Sequence, residues 1–212
     1  KSVMTNNAII YTIEQLLKIA NPNRNIKYNV LISEDRKKAV LTFNKNTGKM
    51  TFNLVDSEQW KFLIQGRIDE LEWIDNSRNT FKIPILFWVN KNQPFVIMDD
   101  NNIVFNGDII SSAFFMLSRW EEKYSSDFDV HDRFKYENSI ACKYNFITIP
   151  IVDEYAMLLR KHLQKLFPDV DLGINKFDIK LSHDTDSIRR FKSMKQSIRT
   201  FGGDLTKTKS IG

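Results

Sequence analysis

The sequence predicts a fold that mixes helices with strand hairpins, on three observations. Apolar residues recur at helical spacing in Ile9–Ile19, from Asp108 to about Tyr124, and in Asp153–Phe167. Between the first two helices lie short alternating or apolar runs, broken by turn-forming residues at 34–37, 46–48, 90–93 and 99–102. A last alternating run, Lys176–Leu181, leads straight into the polar stretch Ser182–Asp186, which holds two carboxylates and a histidine.

Taken in order, Ile9, Ile13, Leu16 and Leu17 make one face of a first helix, which Asn21-Pro22-Asn23 stops. Tyr28–Ser33 and Lys38–Phe43 read as strands joined by a charged turn, and Asn46-Thr47-Gly48 predicts a hairpin into Lys49–Leu54. Asp56–Arg67 is a candidate short helix. The apolar run Lys82–Val89 has strand length, with Pro84 placing its start at an edge. Phe95–Met98 and Ile103–Phe105 form a second hairpin around residues 99–102. Asp108 is the predicted N-cap of one continuous helix to about Tyr124, ending in Arg119-Trp120-Glu121-Glu122, where Arg119 and Glu122 can pair. Pro150 precedes a helix over Asp153–Phe167, Pro168 ends it, and His162 reads as a residue at the boundary of its apolar stripe. The tail pairs Ile188, Phe191, Met194, Ile198 and Phe201 with intervening Arg and Lys, the pattern of a helix with a basic solvated face.

Bulk properties narrow the function classes. A chain of 212 residues, 42% hydrophobic, can bury a real core. No apolar run approaches the ~18–20 residues that cross a bilayer, so no transmembrane segment is expected. Nor does a secretory apolar region stand at the start, although Lys1 is not an initiator Met and a lost leader is compatible with that. The single Cys142 excludes an internal disulfide and fits a reducing, cytoplasmic setting; it reads as a small buried hydrophobe. The net charge of +5 resides wholly in residues 176–212, with 9 basic and 4 acidic side chains, because residues 1–175 hold 22 of each. Basic charge on one amphipathic helix, without interleaved exposed aromatics, is not the footprint of a nucleic-acid reader.

Candidate chemistry concentrates at Ser182–Asp186. On an extended strand Ser182, Asp184 and Asp186 share one face, with side chains roughly 6–7 Å apart. Converging carboxylates repel unless a cation or a shared proton lies between them. A divalent metal with a general base is one solution, and a solvated turn is the other. Ser182, His183 and Asp184 are consecutive and cannot form a catalytic triad, since strand neighbours point to opposite faces. The histidines at 131, 162 and 183 lack the spacing that places two imidazoles on one metal. Asp127-x-Asp129 sits in a polar loop without the glycine and terminal glutamate of a calcium loop, so capping or ion pairing is its expected role. Asp184-x-Asp186 also matches the D-x-D pattern of metal-dependent nucleotide-sugar glycosyltransferases.

Three longer blocks add a resemblance. AFFMLSRWEEKYSSDFDVHDRF (113–134), IPIVDEYAMLLRKHL (149–163) and KLSHDTDSIRRF (180–191) resemble the bacterial polysaccharide-deacetylase-like proteins, in particular the subgroup with an α+β domain before the catalytic domain. The resemblance spans roughly Ile9 to Phe191. It implies an α+β accessory domain over 1–175 and, over 176–212, the first strand and helix of an incomplete, distorted (β/α) barrel.

By the same resemblance Asp184 is the catalytic base and Asp186 a metal ligand, in a divalent-metal enzyme, with zinc the expected metal. The substrate class implied is an N-acetylated glycan. Base and metal ligand are adjacent in many family members, whereas Thr185 separates them here. The H-x-x-x-H motif that supplies the other ligands does not occur in the 212 residues, so this stretch alone is expected to be inactive. Two alternatives stand beside the deacetylase: the D-x-D glycosyltransferase, and a self-sufficient binding or scaffolding module in residues 1–175.

Overall fold

The computed structural model describes residues 3–44, 46–176, 179–182, 193–196 and 198–199. The chain divides into two units, Lys1–Asn175 and Lys176–Gly212, and the named elements all lie in the first. That unit is a mixed α+β structure whose sheet is open and not closed into a barrel.

Helix α1 (Asn6–Ala20) begins where the Thr5 hydroxyl accepts the Ala8 N–H at 3.2 Å, the usual way a first-turn donor is satisfied. Its apolar face, Ile9, Ile13, Leu16, Leu17 and Ala20, is buried. Three strands follow as a meander: β1 (Tyr28–Ile32), β2 (Lys38–Phe43) and β3 (Asn46–Asn53). Contrary to the sequence expectation, Asn46–Gly48 is not the turn, because β3 starts at Asn46 and Gly48 is buried inside the strand. A register shift between Thr42 and Phe43 accommodates the early reversal and keeps Phe43 inward, edge-on to Phe167 at 5.0 Å.

Helix α2 (Ser57–Ile64) is capped by the Asp56 carboxylate, which accepts the Glu58 and Gln59 N–H groups. A small two-stranded sheet, β4 (Glu72–Asp75) with β5 (Lys82–Ile85), comes next. The apolar run expected as one strand to Val89 leaves the ladder after Ile85. Phe87 instead donates its N–H to the Ser112 hydroxyl and accepts that of Asp108, so helix contacts replace strand pairing. A hairpin, β6 (Val96–Asp99) and β7 (Asn102–Phe105), completes the main sheet in the order β1-β2-β3-β7-β6. The pairing of β3 with β7 is parallel and the rest antiparallel. Ala39, Phe52 and Phe105 stand in one cross-strand row on the inner face, and Leu41, Met50 and Ile103 in another; all six are buried.

The helix expected as continuous from Asp108 is two helices, α3 (Ile109–Leu117) and α4 (Trp120–Tyr124), split at Arg119 in the left-handed region with φ 50°. The Ser118 hydroxyl donates back to Phe114 O at 2.6 Å as α3 ends. Packing explains the break. In an unbroken helix Trp120 would lie about 240° around the axis from Phe114. The left-handed residue brings the two rings to 5.9 Å and sets Trp120 at 5.2 Å from Trp60. After a 3₁₀ turn (Tyr136–Asn138) and the short α5 (Ile140–Lys143), neither foreseen, α6 (Ile151–Leu166) packs on α1 and α3. Phe105 meets His162 of α6 edge-on at 5.2 Å, so this helical layer covers the inner face of the sheet.

The alternating run before Asp184 is only partly described. Residues 176 and 179–182 form no strand, and Ile179 and Leu181 are 65% and 94% exposed instead of buried. A strand is stabilised by a neighbour's ladder and a covered face, and no described strand pairs with these residues. Among the described residues no helix is long and apolar enough to cross a membrane.

Trp60 is the hub of an aromatic cluster, stacked on Phe87 at 4.7 Å and touching Phe114, Phe115 and Trp120. Trp60→Ala is expected to destabilise this unit by about 3–5 kcal/mol, measured as a fall in the denaturant midpoint with unchanged slope.

Candidate functional site

Asp184, Asp186 and His183 lie outside the described residues; Ser182 is described and exposed. Among the described residues no group of three His, Cys, Asp or Glu side chains could hold a metal ion. His131 is exposed on its loop, its N–H donated to Asp129. His162 is not at a boundary: it is 5% exposed, and its Nδ1 has no hydrogen-bond partner. Burial, with Lys165 and Lys161 nearby, lowers its pKa to about 4. The ring is packed in neutral form against Phe105 because both neighbours along the i−4 to i+4 stripe, Leu158 and Leu166, also point to the core. Cys142 is half-buried in α5.

The charged segment Arg119–Ser139 closes on itself. Arg119 and Glu122 form an ion pair one turn apart. Glu121 accepts the Ile140 N–H at 2.8 Å, and its partial burial raises the carboxyl above the usual range. Asp127 accepts from Lys135 Nζ at 2.5 Å and from Asn138 Nδ2 at 3.1 Å. Asp129 accepts from the Arg133 guanidinium at 2.8 Å and from the backbone N–H of His131 and Arg133. Lys135 holds the Asp127 carboxyl below its ordinary pKa, and Arg133 does the same for Asp129. Each acid of Asp127-x-Asp129 therefore has its own cation, and the loop is ion-paired.

A third group sits in the core. The Asp108 carboxylate accepts the Ser111 N–H on Oδ1 and the Val55 N–H on Oδ2, both at 2.8 Å. It is fully buried with no cation beside it, and burial raises its pKa to about 6. The Ser112 hydroxyl donates to Asp108 O at 2.7 Å, and the Tyr155 hydroxyl to Pro84 O at 2.6 Å. These polar groups are buried and hydrogen-bonded within the fold.

A groove of about 500 Å³ lies between the C-terminal end of α1 and the start of β1, bordered by Lys18, Arg24, Lys27 and Tyr28. Reading the sequence, Asn21–Asn23 served only to stop the helix. The usable signal was the run Arg24–Tyr28, with two cations ahead of an aromatic side chain directly after that stop.

A family model, that of the family of unknown function DUF7033, matches residues 3–168, and the chain belongs to that family. No curated protein and no solved structure matches the chain.

Two titrations follow from the buried groups, with opposite signs. The folded pKa of His162 is depressed, so the unfolded chain binds more protons between about pH 4 and 6.5 and stability falls as pH drops through that window. His162→Phe is expected to remove this loss, gaining more in melting temperature at pH 5 than at pH 7.5. For Asp108 the folded pKa is raised, so the folded chain holds the extra proton and stability falls as pH rises from about 4 to 6. Asp108→Asn is expected to abolish that slope. The variant should also be about 1–3 kcal/mol less stable at pH 7, since one amide oxygen cannot serve both N–H groups with full acceptor geometry. Chemical denaturation across pH 4–8 measures both effects.

Proposed function

We propose that residues 1–175 form an accessory domain placed before the start of a metal-dependent carbohydrate N-deacetylase, acting on an N-acetylated glycan in the cytoplasm. In this reading Asp184 is the general base and Asp186 a metal ligand. The observation that carries it is one of placement: the structural division falls at Asn175–Lys176, and the D-x-D stretch with the motif resemblance begins within the next ten residues. The family match, over residues 3–168, lies entirely on the accessory side.

The residues present do not make a catalytic metal site by themselves. A catalytic zinc normally takes three protein ligands, and this stretch offers one carboxylate beside one base. Asp184 would accept a proton from the attacking water, a role in which positioned carboxylates contribute about 10²–10⁴-fold. The expected result is that the reading frame past Gly212 encodes H-x-x-x-H. A protein that includes it should release acetate from an N-acetylated oligosaccharide in a chelator-sensitive reaction, and Asp184→Asn should lower kcat by at least about 100-fold. The 212 residues alone should release none. Manganese-dependent binding of a nucleotide sugar, lost in both Asp184→Ala and Asp186→Ala, would instead assign the D-x-D glycosyltransferase.

A second reading is favoured by one observation: the buried hydrophobic residues among those described all lie between Met4 and Leu172. Residues 1–175 would then be a binding module with its own core. A chain ending at Asn175 is expected to unfold in one cooperative transition; a broad, non-cooperative melt would overturn the module reading.

A further inference from the structure

The groove at the end of α1 is built by a fastened turn. Asn21 donates its N–H to Leu17 O at 2.8 Å, and Arg24, with φ 53°, donates its N–H to Asn21 O at 2.9 Å. The turn is then tied to the segment before Asn175. Asn23 donates its N–H to Leu172 O at 3.1 Å and its Nδ2 to Asp171 Oδ2 at 3.0 Å, and Asn25 Nδ2 donates to Asp171 O at 2.8 Å. The groove walls are therefore held in place before any ligand arrives.

Its chemistry is specific. Lys18, Arg24 and Lys27 line it against a single acid, Glu14. No salt bridge pairs Arg24 or Lys27 with a carboxylate among the described residues, and Lys18 makes only a 3.4 Å contact with Gln15. Buried Leu17 and Ile26 supply an apolar base. Asn21, also lining the groove, is 3% exposed, yet its Oδ1 has no hydrogen-bond partner. A buried acceptor left unmade costs about 1–3 kcal/mol, which a ligand donor would recover. The half-buried Tyr28 hydroxyl is raised above its ordinary pKa by burial and by Glu14, with Arg24 opposing, and all three residues line the groove.

A ligand matching this set carries anionic groups for the cations, O–H donors for the orphan oxygen, and an apolar ring face for Tyr28. Inorganic phosphate meets the first requirement and lacks the last. We propose that the groove binds an acidic oligosaccharide, with sugar carboxylates set against Arg24 and Lys27, a hydroxyl donating to Asn21 Oδ1, and a ring lying on Tyr28. Because none of these residues belongs to the Asp184–Asp186 stretch, the inference stands or falls apart from the deacetylase reading.

The test is calorimetric titration of the 212-residue chain with tetragalacturonate, with neutral cellotetraose and inorganic phosphate as parallel arms. Tetragalacturonate is expected to bind at least about 10-fold more tightly than either, and to weaken several-fold between 50 and 300 mM salt, as exposed charges are screened. The double variant Arg24→Gln/Lys27→Gln changes only exposed side chains, and it should keep the wild-type melting temperature while losing at least about 10-fold in affinity. Asn21→Ala should weaken the acidic sugar and leave phosphate unchanged. Equal binding of cellotetraose, equal binding of phosphate, no binding of tetragalacturonate, or full affinity in the double variant would each overturn the proposal.

Discussion

The buried carboxylate of Asp108 is the constraint on which the layers depend. Its two oxygens take N–H groups from Val55, just after β3, and from Ser111, in the first turn of α3. Its own N–H goes to Phe87 O, and its carbonyl accepts from the N–H and hydroxyl of Ser112. One residue thereby joins the sheet exit, the segment after β5 and the helical layer. No side chain lacking two acceptors could do so without orphaning a buried donor. The cost is a desolvated charge, visible in its raised pKa. His162 carries a cost of the opposite kind, a neutral ring sealed under α6. Their linkage slopes run against each other through mildly acidic pH, so the net dependence there is shallower than either group alone would produce.

The elements legible in the sequence were those in which local and tertiary preferences agree. Helix α1 has its cap, its stripe and its stop in adjacent residues, and α6 has a stripe of leucines between two prolines. The reading went astray where a distant contact decided the outcome. Residues 109–124 have helical spacing throughout, and only Trp60, far earlier in the chain, explains why the helix must break at Arg119. Likewise Asn46-Thr47-Gly48 has the composition of a turn, but the inward position of Phe43 moves the reversal upstream. His162 looked like a boundary residue because no periodicity argument contains Phe105, its partner on another strand.

For the site, the D-x-D spacing drew attention to Asp184 and Asp186, which lie outside the described residues, while the groove escaped notice. Its residues come from α1, the turn after it, the strand that follows and Asn44 after β2, and no one of them has an unusual identity. What distinguishes them is three-dimensional: cations without carboxylate partners, and a buried amide oxygen without a donor. The charged segment 119–139 shows the reverse. Its density of Asp, Glu and Arg attracts attention in a sequence, yet Arg119 with Glu122, Asp127 with Lys135 and Asp129 with Arg133 pair within the same segment.

The parallel seam between β3 and β7 sets the order of assembly. The β1–β2–β3 meander closes through short reversals and is cheap in chain entropy. The seam joins Lys49 to Asn102 and Phe52 to Phe105, so it must wait until the intervening α2, β4, β5 and β6 have been gathered. Contact of α1 with α6 brings together the two ends of the unit and spans a longer separation still. A chain emerging from the ribosome would therefore expose the free edge of β3 until residue 105 arrives, and the flank of α1 and the inner face of its first three strands until α6 does. During synthesis this N-terminal half is a client for shielding, well before α6 emerges to cover it.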